Sequence, residues 1–331
     1  MKTIIIITSI VLVMACRKDP IIQIPPTCND TALVIQPCFG GNYNTYSSDT
    51  FTYVLDNMSS PSPLGPFISY FEPYNYVGPI FNPNNPYEFV YGRLDDSVLG
   101  FDVELWVFSF CTGQTRFLTN NASHNVDWSK KDWISFTGTD GLIYKIKSNG
   151  DSLISFPPLA GLNNAGRWNP SGTLIWSEAN ILDENGELVT TISNIPFGPK
   201  DWINDSVLLG WRSNNLYAMN IYDQTNPIQL NNNWTCATCV FIYNPDENVC
   251  YVRNVNWVLE YSLNGSNTVD TISTYATSHR VVEGDYANGK RIHALSRKHW
   301  KDSLNDYLYF QGDLVIMDAD GSNERLIELP E

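Results

Sequence analysis

Through most of the chain, apolar and polar residues alternate in short runs, and each run is broken by a turn rich in Asn, Asp, Pro or Gly. The stretch "RWNPSGTLIW", Arg167 to Trp176, is typical: an aromatic, an Asn-Pro-Ser-Gly turn, then an apolar strand. The phrase returns as "FNPNNPYEFVYG" from Phe81, "WSKKDWISFTG" from Trp128, "WINDSVLLGW" from Trp202, "YNPDENVCYV" from Tyr243 and "YANGKRIHAL" from Tyr286. The anchors Phe81, Trp128, Trp168, Trp202, Tyr243 and Tyr286 are 47, 40, 34, 41 and 43 residues apart. A period of that size marks a repeat architecture.

A second phrase follows each anchor, as in "LIYKIKSNGDSLISF" after Trp128 and "DLVIMDADGSNERLIEL" after Tyr286. Each is a strand, a turn carrying Gly or Asn, and another strand. Alternation of period two in β-branched and aromatic residues specifies strands. Asn-Gly and Asp-Gly pairs supply the positive φ that tight hairpins need. Helical periodicity is nearly absent beyond the first sixteen residues. Four short strands in roughly 40–45 residues is the β-propeller unit, whereas independent β-sandwiches would need about 100 residues each. The expected fold is therefore all-β: a six-bladed β-propeller of four-stranded blades over residues 49–331, with Thr50–Asn57 a candidate strand for closing the ring.

The chain begins "MKTIIIITSIVLVMAC". One Lys and an apolar run from Ile4 to Val13 fit the h-region of a secretory signal and are too short for a bilayer, whose core needs about 20 apolar residues. Ala15 before Cys16 resembles a bacterial lipobox, although Met14 stands where a small or β-branched residue is usual. Residues 1–15 are read as signal peptide and Cys16 as the acylated first residue of the mature chain, so the membrane is reached through a lipid anchor only. Residues 16–48, with "PIIQIPP", form a Pro-rich spacer.

Charge then narrows the partners. The chain carries 20 Lys and Arg against 35 Asp and Glu, a net charge of −15, which becomes −16 without Lys2. This excludes nucleic acid, whose binding needs a basic stripe. After Cys16 there remain Cys28, Cys38, Cys111, Cys236, Cys239 and Cys250, an even number that in an exported chain reads as disulfide candidates, with connectivity left open.

Motifs that invite chemistry have plainer readings. "GDYANGKR", Gly284 to Arg291, nearly spells a P-loop, but Arg291 replaces the hydroxyl residue and no helix follows. "WTCATC" has redox spacing, but a strand follows it where a reactive thiolate needs a helix N-terminus. "DADGSNE", Asp318 to Glu324, is half of a calcium loop without its flanking helices, and reads as a hairpin turn. No cofactor is expected, a calcium ion in the central channel being compatible with the fold. There is no G-x-S-x-G and no H-E-x-x-H. His293 reads as packing. The stretches leading to the anchors enter the innermost strands, so His124, Asp127, Arg167, Asp201, His279 and Arg280 are the candidate binding residues of a channel mouth.

On these residues the chain resembles the TolB-type propellers: "DLVIMDADGSNERLIEL" is similar to the closing hairpin of their repeat and "WNPSGTLIW" to its central turn and strand. The resemblance spans about residues 75–331 and lacks the N-terminal α/β domain of TolB. With the lipobox it is similar to outer-membrane lipoproteins of Bacteroidetes type. It implies an envelope location, periplasmic or surface-exposed, and a non-enzymatic scaffold whose partner is an envelope protein or an acidic peptide or glycan. A propeller hydrolase or lyase with its active site at the channel mouth is the alternative, because fold alone does not separate the two.

Overall fold

The computed structural model describes residues 76–94, 103–158, 165–193, 198–212, 215–231, 241–254, 257–263, 269–274, 279–300, 308–327 and 329–330. Among them the fold is all-β and consists of several small antiparallel sheets. The first sheet runs β1 (Tyr76–Asn82), β2 (Asn85–Leu94), β3 (Val103–Ser109), β4 (Gln114–Trp128), β5 (Trp133–Gly138), β6 (Ile143–Lys147) and β7 (Ile154–Ser155). The second has β8 (Leu174–Ser177), β9 (Asn180–Asp183) and β10 (Leu188–Thr191). Three four-stranded sheets follow: β11 (Gly198–Asn204), β12 (Val207–Arg212), β13 (Asn215–Asn220) and β14 (Asp223–Asn231); then β15 (Phe241–Asn244), β16 (Val249–Asn254), β17 (Trp257–Ser262) and β18 (Val269–Thr274); then β19 (His279–Ala287), β20 (Lys290–Trp300), β21 (Leu308–Asp318) and β22 (Arg325–Leu326).

Strand order follows chain order throughout, as short hairpin connections dictate. Two departures from the repeat stand out. The first two sequence units share one sheet because β4, at 15 residues, pairs with β3 through its first part and with β5 through its second. In the third unit the strand expected at Trp168 shrinks to a single bridge with Ile175. A glycine accounts for the close approach there: a Cβ on Gly166 would lie 2.0 Å from the Trp176 carbonyl oxygen.

The turn within Arg167–Trp176 is a local device. The Asn169 side-chain oxygen accepts the N–H groups of Thr173 at 2.8 Å and Leu174 at 3.0 Å, and Gly172 takes φ +70° to close the turn. Asn82 and Asn244, after Phe81 and Tyr243, instead accept the N–H two residues on, from Asn84 at 2.9 Å and Asp246 at 3.0 Å. This is the Asx-turn chemistry for which Asn is selected at such positions.

Successive sheets pack face to face through apolar clusters. Ile181, Ile192, Trp202, Leu208 and Met219 join the second sheet to the third; Leu209, Leu216, Phe241, Cys250 and Tyr261 join the third to the fourth. One cluster unites the ends of the described chain: Phe81, Tyr87, Phe89, Tyr91, Phe108 and Phe110 with Ile292, Ala294, Leu314, Ile316 and Ile327. Anchors Phe81, Trp128, Trp168 and Trp202 are buried, as the repeat requires.

Several expectations meet the structure here. Cys250 is a buried free thiol, not a disulfide partner; it lies within the third–fourth sheet core, where burial pushes its pKa well up. Cys111 is disulfide-bonded. Cys16, Cys28, Cys38, Cys236, Cys239 and the strand at 50–57 lie outside the described residues. The final sheet already contains four strands from its own unit. Its β20 and β21 stay paired as far as Trp300 and Leu308. No helix among the described residues is long and apolar enough to cross a membrane.

Candidate functional site

The residue immediately before each anchor decides the site. In chain order these are Ile80, Asp127, Arg167, Asp201, Ile242 and Asp285. The second, fourth and sixth units thus carry a carboxylate, and each carboxylate accepts the anchor N–H of the following unit. Asp127 Oδ2 accepts from Trp168 at 2.5 Å, Asp201 Oδ2 from Tyr243 at 3.4 Å, and Asp285 Oδ2 from Phe81 at 2.9 Å. The last of these bonds spans 204 residues.

Arg167 sits among these carboxylates. Its Nη1 is 3.4 Å from Asp285 Oδ1, its Nη2 donates to the Gly284 carbonyl at 3.3 Å, and its own carbonyl accepts the Trp202 indole N–H at 2.9 Å. Gly284 has no room for a side chain: a Cβ there would lie 2.4 Å from His293 Nδ1 and 2.5 Å from the Ile292 carbonyl.

Three carboxyls surrounding one guanidinium set the electrostatics. Burial pushes Asp127 up to about 7, more than Arg167 and the Trp168 N–H pull it down; Asp285 and Asp201 add to the rise. Burial likewise raises Asp201 and Asp285 against the opposing pull of Arg167. Burial works against the charge on Arg167, but Asp201, Asp285 and Asp127 more than reverse it and raise its pKa. The cluster therefore holds a permanent cation, and near neutrality its most buried acid is about half protonated. Chemically it can tie neighbouring units together and store a proton.

Of the expected site residues, Asp127, Arg167 and Asp201 lie in this one buried cluster. His124 lies in β4, while His279 and Arg280 open β19, with backbones paired to Arg297 and Ser296. They stand seven and six residues ahead of Tyr286, at the strand end remote from Asp285; the side chains of all three lie outside the described residues. Asp285 is a further member that the expected set lacks. Its signal was available: aligning the units on the anchors places it beside Asp127 and Asp201. His293 is buried in β20, in keeping with its packing role. At the Asp318 hairpin the carboxylate pairs with Lys290 and accepts from Asn323 at 2.5 Å. Among the described residues no group of three His, Cys, Asp or Glu is placed to hold a metal ion.

No family model matches the chain, and no curated protein matches its sequence. Solved structures do resemble it. A protein of Agrobacterium tumefaciens described as a TolB superposes with TM-score 0.51 at 17% identity, over 68% of this chain and 88% of that one. The acylaminoacyl peptidase of Pyrococcus horikoshii gives 0.50 at 10% identity, over 77% of this chain and 52% of that one. The β-propeller domain of the Trilobed protease from Pyrococcus furiosus gives 0.49 at 10% identity, over 78% and 97%. At these identities the likeness is one of fold, and it takes in a TolB and a peptidase alike. The chain has a distant, TolB-like propeller-type fold.

Proposed function

We propose that the protein is an envelope lipoprotein, anchored through Cys16, whose six units close into a β-propeller of four-stranded blades and act as a non-enzymatic scaffold for a protein or glycan partner. Closure is supported by the Asp285–Phe81 bond and by the aromatic cluster shared between the first and last sheets. The observation that carries the scaffold reading is the commitment of the channel carboxylates. Asp127, Asp201 and Asp285 each hold the next unit's backbone, and Asp285 also pairs with Arg167. Groups spent in this way hold the units together, so recognition falls to the faces around them. The test is capture of partners from envelope extract by the wild type and by a Cys16→Ala variant, with fractionation of both. A defined partner set and release of the variant from membranes are expected; no reproducible partner, or unchanged membrane retention, overturns the reading.

The hydrolase or lyase alternative has one observation in its favour: a carboxyl whose pKa lies near 7 is suited to general acid–base work. It predicts a turnover, on peptide or glycoside substrates, that Asp127→Asn abolishes.

A further inference from the structure

Cys111 is disulfide-bonded, and the fold limits which cysteine can hold it. The chain offers Cys16, Cys28, Cys38, Cys236, Cys239 and Cys250. Cys250 is a free thiol inside a core. The other five lie outside the described residues, so what bounds them is the length of chain to their described neighbours. Cys111 itself stands in the turn from β3 to β4. It packs against the aromatic cluster shared by the first and last sheets, as Ala287 and Leu329 do.

That turn belongs to one end of the molecule, where the turns that follow the anchors meet from unit to unit. The Asn84 side chain donates to the Lys130 carbonyl at 2.9 Å, and the Asn169 side chain to the Asp205 carbonyl at 3.3 Å. Between them, a Cβ on Gly172 would lie 3.1 Å from the Lys130 nitrogen. Phe110 donates to the Tyr87 carbonyl at 2.8 Å, which puts the β3–β4 turn at the same end. Cys236 and Cys239 belong to the stretch 232–240, between Asn231 at the close of β14 and Phe241 at the start of β15. β14 runs away from the turn end for 9 residues, so Asn231 stands about 30 Å from it. Cys236 is five residues from Asn231 and Cys239 two from Phe241, allowing at most ~17 and ~7 Å of chain. Phe241 is buried in the core between the third and fourth sheets. The whole of the fourth and last sheets separates that core from Cys111, about 20 Å at the usual spacing of packed sheets. A disulfide holds its Cα atoms within about 7 Å. Neither cysteine reaches.

From this elimination we infer that Cys111 is cross-linked to Cys28 or Cys38, so that the N-terminal segment is stapled to the turn end of the first unit. Cys16 is spent on acylation in the reading above. The bond moves the point from which the protein is tethered. Along the backbone the N-terminal segment joins the described fold at Tyr76, where β1 starts, and that is the end opposite the turns. Cys16 is 60 residues from Tyr76 but only 12 from Cys28 and 22 from Cys38. The longest reach of the tether falls from ~200 Å to ~40 or ~75 Å. The tether then leaves from the turn end, beside the seam between the first and last sheets. The staple depends on where the cysteines stand; the tether's exit point also rests on the anchor at Cys16.

Two measurements test this. Peptide mapping of the mature chain under non-reducing conditions should recover a peptide pair joining Cys111 to Cys28 or Cys38. A bond from Cys111 to Cys16, Cys236 or Cys239, or a free Cys111 thiol, overturns the inference. The second cuts the backbone, through a site-specific protease sequence inserted between Ser59 and Ser60. After complete cleavage of the membrane fraction only the disulfide joins the anchor to the sheets. The large fragment should then stay with the membranes and leave them when a reductant is added, whereas in a Cys111→Ser background the protease alone should release it. Release of the parent by protease without reductant overturns the staple, and retention after reduction overturns the exit point. If Cys111→Ser does not fold, the parent with and without reductant decides. A protein that never sediments with membranes removes the anchor and the exit point together, while the peptide map still decides the staple.

Discussion

Two seams of the molecule use the same hydrogen bond in opposite surroundings. Where the last unit meets the first, Asp285 holds the Phe81 N–H with Arg167 beside it and a large aromatic cluster behind it. Where the second unit meets the third, Asp127 holds the Trp168 N–H, but the guanidinium is committed to Asp285 and the strand behind Trp168 is a single bridge. One seam is secured by packing and a paired charge. The other has a smaller apolar cluster, Ile143, Phe156, Ala165, Trp168, Ile175 and Leu182, and a carboxyl that burial pushes up to about 7 with no direct ion pair beside it. The lesson is that an inter-unit clasp is only as durable as the charge compensation around it.

The comparison can be broken most forcefully at the aromatic seam. Phe89 is fully buried, with ring centroids of Tyr91, Phe108 and Phe110 at 5.6, 5.4 and 5.3 Å. Phe89→Ala should cost about 4 kcal/mol through lost burial and a cavity, measured by urea unfolding. Next in size is Asp285→Ala, which removes the Phe81 acceptor and strips Arg167 of its ion pair. Its cost should be about 3 kcal/mol, and the double variant with Arg167→Met should be less destabilised than Asp285→Ala alone. A double variant that adds both losses would mean that the pair is not coupled.

A smaller effect sharpens the contrast by pH. The Asp127 carboxyl binds a proton more tightly folded than unfolded, so between the ordinary carboxylate range and about 7 the folded state carries the extra proton. Its contribution is therefore fully present in acid and is lost as pH rises through 7; the raised Asp201 and Asp285 act in the same direction. Asp127→Asn keeps an oxygen for Trp168 and should gain roughly 2 kcal/mol over wild type at pH 8, with a flatter stability profile from pH 5 to 8. Equal slopes in the two proteins would exclude Asp127 as the source. Smallest is the exposed pair Lys131–Glu184 at 2.7 Å, which links the second unit to the third at the surface. Lys131→Ala should change stability by no more than about 0.5 kcal/mol, setting the baseline against which the other effects are read.

The buried cluster is partly legible in the sequence. Asp127, Arg167 and Asp201 were found because each precedes a tryptophan that opens a recognisable phrase. Asp285 precedes Tyr286 in a phrase that looks like a P-loop, and His279 and Arg280 drew attention away from it. A residue's place along a strand follows from its neighbours; which strand end meets another unit depends on stacking. Cys250 was misjudged for a similar reason. An even cysteine count says that pairing is available, but the thiol lies in β16 inside a sheet-to-sheet core.

By itself the sequence determined the rhythm of strands and turns, because the requirements are local. Period-two alternation selects a strand, Asn supplies an acceptor for the turn's own N–H groups, and Gly supplies positive φ. That rhythm also placed the six anchors, four of them deeply buried. Only the tertiary structure decided that the first two units merge through β4, that β20 and β21 run paired as far as Trp300 and Leu308, and that a carboxylate reaches a backbone N–H 204 residues away. Those outcomes depend on how whole sheets stack and on which buried charges can be compensated once they do. Both are sums over distant contacts that no local pattern contains.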